Sequence, residues 1–189
     1  YNKNRDFHTT ISPSMDILIS SNLERLLFHL YNADDKKVSS LMSSLNKDGV
    51  YKIDDEIKAK LSDEFYGGFC DDEATKATIS KMFKEHNYLC DTHTAVAVNV
   101  YDKYVEETGD KTVTVIASTA SPYKFAASVL PAVYDGEMPT TEFDMVEKLS
   151  SVTNTKIPKS LAELKTKQVL HKTCVEKQEM SDFIKKFLG

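Results

Sequence analysis

The sequence contains no tryptophan, three cysteines, five prolines and six glycines among 189 residues. Cys70, Cys90 and Cys174 are odd in number and form no CxxC pair. That argues against a disulfide framework or a zinc site, and for small core side chains in a reducing cytoplasm. No apolar run approaches the roughly 18–20 residues needed to cross a membrane. No secretory signal is recognisable, and because the first residue is Tyr1 rather than Met, further sequence is expected before it. The 24 Lys and Arg are outnumbered by 29 Asp and Glu, for a formal charge of −5, and no basic stripe runs through the chain. Neither nucleic acid nor a membrane is therefore expected as a partner. Walker, GxGxxG and GxSxG signatures are missing, and the five histidines show no HxxxH spacing, so no metal is expected.

What remains is the composition of a globular protein, 41% hydrophobic and 28% charged. In "SNLERLLFHL" the residues Leu23, Leu26, Leu27 and Leu30 recur at helical spacing, and Ser21 with Glu24 predicts a capping box at its start. Helices are also predicted from Ala33 to about Asn46, closed by "NKDG", and from Asp54 to Glu64. Another covers "DDEATKATISKMFKEH", with Ile79, Met82, Phe83 and His86 as its stripe. In "HTAVAVNVYDKYVEETG" the predicted inner face is Ala97, Val100, Tyr101, Tyr104 and Val105, with Gly109 as the stop. Thr112 to Ala117 reads as the one convincing strand, and a helix is predicted from Pro122. "PTTEFDMVEKLSSV" and "EKQEMSDFIKKFLG" supply two more helices. A single strand cannot satisfy its own backbone. It needs a partner weakly signalled in this chain, another chain, or a segment outside it.

Four stretches have chemistry to offer. Ser118, Thr119, Ala120 and Ser121 lie between strand and helix, where free N–H groups favour an anion or a polar ligand edge. Helix capping by Ser121 explains part of that pattern equally well. "SPSMDI" places Ser12, Ser14 and Asp16 in a proline-containing loop, and Asn22 with Arg25 offers an amide and a guanidinium at one helix end. Asp91 and His93 open an apolar helix, either as an acid–base pair or as capping residues.

Taken together, "RDFHTTISPSMDILISSNLERLLF", "EFYGGF", "DTHTAVAVNVYDKY" and "ASTASPYKF" resemble the C-terminal portion of the threonine synthase family. The matches run in order from Arg5 to Phe125. The resemblance implies an α/β enzyme of fold type II dependent on pyridoxal phosphate (PLP), of which this chain is the mainly helical C-terminal part with few strands. Residues 1–130 would belong to the cofactor- and substrate-binding region and residues 131–189 to a helical tail. The implied reaction converts O-phosphohomoserine and water to threonine and phosphate. The implied cofactor contact is a hydroxyl on the pyridine nitrogen, assigned to Thr119 with Ser118 as the nearest rival. Ser12, Ser14, Asp16, Asn22, Arg25, Asp91 and His93 are candidates for the substrate pocket.

Two family features do not occur in these residues: the F-K-D lysine that holds the cofactor covalently, and the loop that binds its phosphate. Lys124 does not match the lysine motif, and Thr92 stands where the family usually has proline. These 189 residues are accordingly expected neither to bind PLP covalently nor to make threonine by themselves. They are also expected to expose apolar surface open to self-association. Two other readings fit the residues: a non-catalytic helical interaction module, and another fold-type-II lyase such as a serine or threonine dehydratase.

Overall fold

Side-chain caps start five of the nine α-helices in this chain. The computed structural model describes every residue from Tyr1 to Gly189. Helix α1 spans Ser21–Leu30, and its cap is Ser20, whose hydroxyl accepts from the Leu23 N–H at 3.4 Å. The predicted Ser21–Glu24 box does not form, because Ser20 is the extended capping residue and Ser21 is already helical, which puts Leu23 rather than an acid at the third helical position. Helix α2, Asp35–Asp48, is capped by Asp34 and ends at Gly49, whose φ of 78° is the left-handed geometry that glycine adopts without cost. Helix α3 covers Asp55–Glu64. Leu27, Leu41 and Ile57, one from each of these helices, form a small apolar core with Tyr31, Tyr51 and Ile53 around it. The chain's beginning lies against it: Tyr1 stacks on Tyr51 at 5.3 Å, beside an isolated antiparallel bridge between Asn2 and Val50.

The larger core is built by α4 (Asp72–His86), α5 (Thr92–Thr108), α6 (Ala126–Val133) and α7 (Glu142–Thr153). Helix α4 packs on α5 and α6, and α6 packs on α7. Ile79, Ala95, Val129, Leu130 and Leu149 are fully buried among them. Helix α5 corrects the predicted inner face. Thr94, Ala95 and Val98 are buried, whereas Ala97 is exposed and Val100, Tyr101, Tyr104 and Val105 are half-buried. Apolar residues line α5 on more than one side, so period alone offered two faces, and packing against α4 selects one.

The predicted strand is the second correction. Thr112 to Ala117 has neither helix nor strand structure, and the Val113 and Val115 side chains are 94% and 91% exposed. A strand exists through its ladder, and no other segment lies alongside to form one. The α/β character implied above therefore does not reside in these residues, whose own structure is helical. The helix expected from Pro122 begins as a 3-10 turn, Pro122–Phe125, before α6; Ser121 caps that turn by accepting from the Tyr123 N–H at 3.3 Å.

The chain divides into two compact units, Tyr1–Ile157 and Pro158–Gly189. The second contains the short α8 (Lys159–Ala162) and α9 (Met180–Leu188). No helix is long and apolar enough to cross a membrane.

Candidate functional site

The site is organised by the beginning of α5. Asp91 is completely buried and caps the helix, one oxygen accepting from the His93 N–H at 2.8 Å and the Thr94 N–H at 3.1 Å. Its other oxygen accepts from the Thr94 hydroxyl at 2.5 Å. The Asp91 carboxylate thus bonds the backbone, and the side chains of Asp91 and His93 do not form a pair. The His93 ring turns instead toward Ser12, whose hydroxyl hydrogen-bonds Nδ1 across 81 residues of sequence. Phe125 packs edge-on against the ring, with centroids 4.8 Å apart. Nε2 is buried and has no partner.

The loop that brings in Ser12 is braced from within. Asp16 accepts from the Thr10 N–H at 2.7 Å and from the Thr10 hydroxyl at 2.8 Å. The same Thr10 oxygen accepts from the Ser12 N–H at 3.0 Å, and the Ile11 N–H donates to Asp72 at the start of α4. Pro13–Met15 forms a 3-10 turn that suits the fixed φ of proline. These contacts hold Ser12 and Asp16 at one edge of a cleft of about 620 Å³. His93 and Val96 from α5, Gly68 and Phe69 from the loop before α4, and Ala117 and Thr119 complete much of its wall. Gly68 is required there, because a Cβ would meet the Val100 side chain at 2.7 Å. No lysine lines this cleft.

Of the loop hydroxyls after residue 117, two are already engaged. Ser118 Oγ lies 3.2 Å from Thr94 Oγ1 and 3.3 Å from the Tyr88 hydroxyl, and Ser121 caps its turn. Thr119 borders the cleft.

Ser12, Asp16, His93 and Thr119 therefore converge on one cleft. Asp91 lies buried behind it. Ser14 is exposed on its turn, and Asn22 and Arg25 hydrogen-bond each other on exposed α1; none of these three lines the cleft. Sequence reasoning passed over Thr10, Thr94 and Phe125, whose roles depend on partners elsewhere in the fold; only the hydroxyl next to the "SPSMDI" loop hinted at Thr10. Cys90, beside Asp91, has its thiol pushed up to about 11, by burial first and by the Asp91 charge second, so it holds no nucleophilic thiolate near neutral pH. No group of three or more potential metal-ligating side chains gathers anywhere in the chain.

Comparison with known proteins bears on this constellation. A family model described as "Threonine synthase, C-terminal" matches residues 94–184, the stretch carrying Ser118 and Thr119. Threonine synthase of Saccharomyces cerevisiae is 35% identical over 143 residues, 68% of this chain and 28% of that protein. Human threonine synthase-like 1 is 33% identical over 149 residues, 79% of this chain and 20% of that protein. The crystal structure of the yeast threonine synthase superposes over 100% of this chain and 38% of that one, with a TM-score of 0.80 and 29% identity. A PLP-bound threonine synthase from Brucella melitensis covers 76% of this chain and 30% of its own, with a TM-score of 0.63 and 34% identity.

The chain belongs to the threonine synthase family. It corresponds to the C-terminal portion, spanning well under half the length of the relatives it matches. Membership accounts for the order of the motifs from Arg5 to Phe125, and the fold gathers residues of all four stretches around a single cleft. In this threonine synthase portion three of them supply the braced loop at Ser12, the start of α5 and the Thr119 loop. The fourth, "EFYGGF", contributes Tyr66, Gly67, Gly68 and Phe69 to the same wall, so only the α1 end of the first stretch stays outside.

Proposed function

We propose that these residues form one wall of the active site of a PLP-dependent threonine synthase, which converts O-phosphohomoserine and water to threonine and phosphate in the cytoplasm. The observation that carries this reading is Thr119: among the hydroxyls of its loop, it alone has no partner within the chain and borders the cleft. A free hydroxyl fits the pyridine nitrogen of PLP, and Ser118, engaged with Thr94 and Tyr88, serves better as its support. When bound, PLP supplies an electron sink for carbanions formed on the substrate. Thr119 holds the ring edge without forcing protonation of its nitrogen. Asp16 and Ser12 offer acceptors for a small cationic or hydroxylated ligand, beside the apolar side chains of Met15, Val96 and Phe69. The His93–Ser12 bond fixes the direction of that hydroxyl. Asp91 acts through position only, by anchoring the start of α5.

The cofactor's lysine is expected in the portion of the family that this chain does not span. Joined to the corresponding lysine-bearing portion of the yeast enzyme, the chain should release threonine and phosphate in equal amounts from O-phosphohomoserine. Thr119→Ala in that fusion should lower kcat by about tenfold, the value of one well-placed hydrogen bond, and Ser118→Ala should lower it less. The 189 residues alone, treated with PLP and borohydride, should retain no label at a defined lysine and make no threonine. A single labelled lysine together with turnover would sink this placement of the catalytic parts.

A further inference from the structure

Only Ala120 and Ser121 separate Thr119 from Pro122, the first residue of the 3-10 turn Pro122–Phe125. The turn is closed by the Lys124 N–H, which donates to the Ser121 carbonyl at 3.0 Å. Two of its side chains tie it to the rest of the fold. Phe125 packs on the His93 ring at the start of α5. Tyr123, only 5% exposed, reaches the end of α7 instead.

There the Tyr123 hydroxyl donates to the Thr155 carbonyl at 2.8 Å and lies 2.6 Å from the Thr155 hydroxyl. Thr155 Oγ1 is in turn 2.7 Å from Thr153 Oγ1, and the Thr153 hydroxyl donates to the Leu149 carbonyl at 2.7 Å. The Ser150 hydroxyl donates to the same Thr155 carbonyl, also at 2.7 Å. Asn154, with a φ of 52°, makes the left-handed step that ends α7 between Thr153 and Thr155. Four hydroxyls and two carbonyls thus form one uncharged network, anchored where Leu149 is fully buried. A satisfied buried network of this kind rigidifies what it joins. Phenylalanine would fill the same space at position 123, so what the hydroxyl adds is a fixed seat for the turn on α7.

The Thr119 loop is therefore held on both sides. Ser118 before it is tied to Thr94 and Tyr88, and Tyr123 after it is tied to Thr155. Thr119, with no partner of its own, takes its place from these two ties. We infer that Tyr123 is a positioning residue for the Thr119 hydroxyl: through Thr155 and Thr153 it fastens the turn after Thr119 to the buried end of α7, and so fixes how that hydroxyl meets the cleft. The inference rests on the reading of Thr119 as the hydroxyl that faces the cofactor. It makes α7, none of whose residues lines the cleft, part of the support of the site.

The test uses the fusion with the lysine-bearing portion of the yeast enzyme, carrying Tyr123→Phe, Thr155→Val or Thr155→Ser. The mobility of the Thr119 methyl group, measured by NMR relaxation without added PLP, reads the tie independently of activity. Tyr123→Phe and Thr155→Val should each move Thr119 from the rigid toward the flexible range, while the methyl of buried Thr78 in α4 stays rigid. Thr155→Ser keeps the hydroxyl and should match the unsubstituted fusion. In turnover, Tyr123→Phe should lower kcat about three- to tenfold with KM changed less than about twofold, and should have no further effect in a Thr119→Ala background. An unchanged Thr119 methyl overturns the inference. So does an equal loosening at Thr78, which marks a general loss of structure, or a Thr155→Ser that behaves like Thr155→Val. A kcat loss that adds in full to that of Thr119→Ala overturns it as well, by giving Tyr123 a route that avoids Thr119. A fusion that makes no threonine while the methyl responses hold would sink the enzymatic reading and leave the tie from Tyr123 to Thr119 standing.

Discussion

Asp91 stabilises the start of α5 through three hydrogen bonds taken entirely out of water. Asp91→Ala leaves two helix N–H groups and the Thr94 hydroxyl unpaired in the interior and is expected to cost about 1–3 kcal/mol. Asp91→Asn keeps a carbonyl oxygen for the N–H groups and should lose less than half as much. Urea midpoints of the two variants check this, and equal losses would show that the charge rather than the cap matters. At this scale the sequence was legible in identity but not in pairing. "DTH" places Asp91 two residues before His93, and that spacing sends the carboxylate to the backbone of the first turn. The actual partner of the His93 ring, Ser12, is 81 residues away and carries no local signal. Thr119 was legible only as one hydroxyl among several, since its freedom depends on Ser118 and Ser121 being engaged elsewhere.

The stabilising layers are helical elements, and α6 is their centre, between α4 and α7. Leu130 is fully buried there, and Leu130→Ala should cost about 2–5 kcal/mol, with the larger values if the cavity does not collapse. Phe187→Ala on α9, where the ring is 80% exposed, should change stability by about 0.5 kcal/mol or less. Thermal melts of both variants compare them directly, and a comparable drop for Phe187→Ala would relocate part of the core. Helices α1 to α4 were readable because apolar period and caps agree to within a residue or two. Helix α5 was readable as a helix but not in orientation, since Ala95, Val96, Ala97 and Val98 are consecutive apolar residues. The run at 112–117 has strand propensity without a strand, because pairing is a property of two segments and the sequence describes one.

At the scale of the molecule, the two units differ in how their structure is maintained. Tyr1–Ile157 contains every buried hydrophobic residue of both cores, whereas Pro158–Gly189 contains no buried side chain at all. The family signature crosses this division, since the matched stretch runs from residue 94 to residue 184. Motif order was therefore sufficient to recognise the family, while the division, which depends on burial, was not readable from it. The consequence is a difference in local opening. Residues 168–176 have no helix or strand, and Lys172 is exposed. Limited trypsin treatment should cut first there, before any lysine of α4 or α5, because cleavage follows segments that open without disrupting a core. The product retaining Tyr1–Ile157 should melt at the temperature of the intact chain, since the lost residues contribute no buried apolar side chain. First cuts at Lys76, Lys81 or Lys103, or a melting temperature that falls on cleavage, would place part of the cooperative core beyond Ile157. Either result is read by mass spectrometry of the first products together with their melting curves.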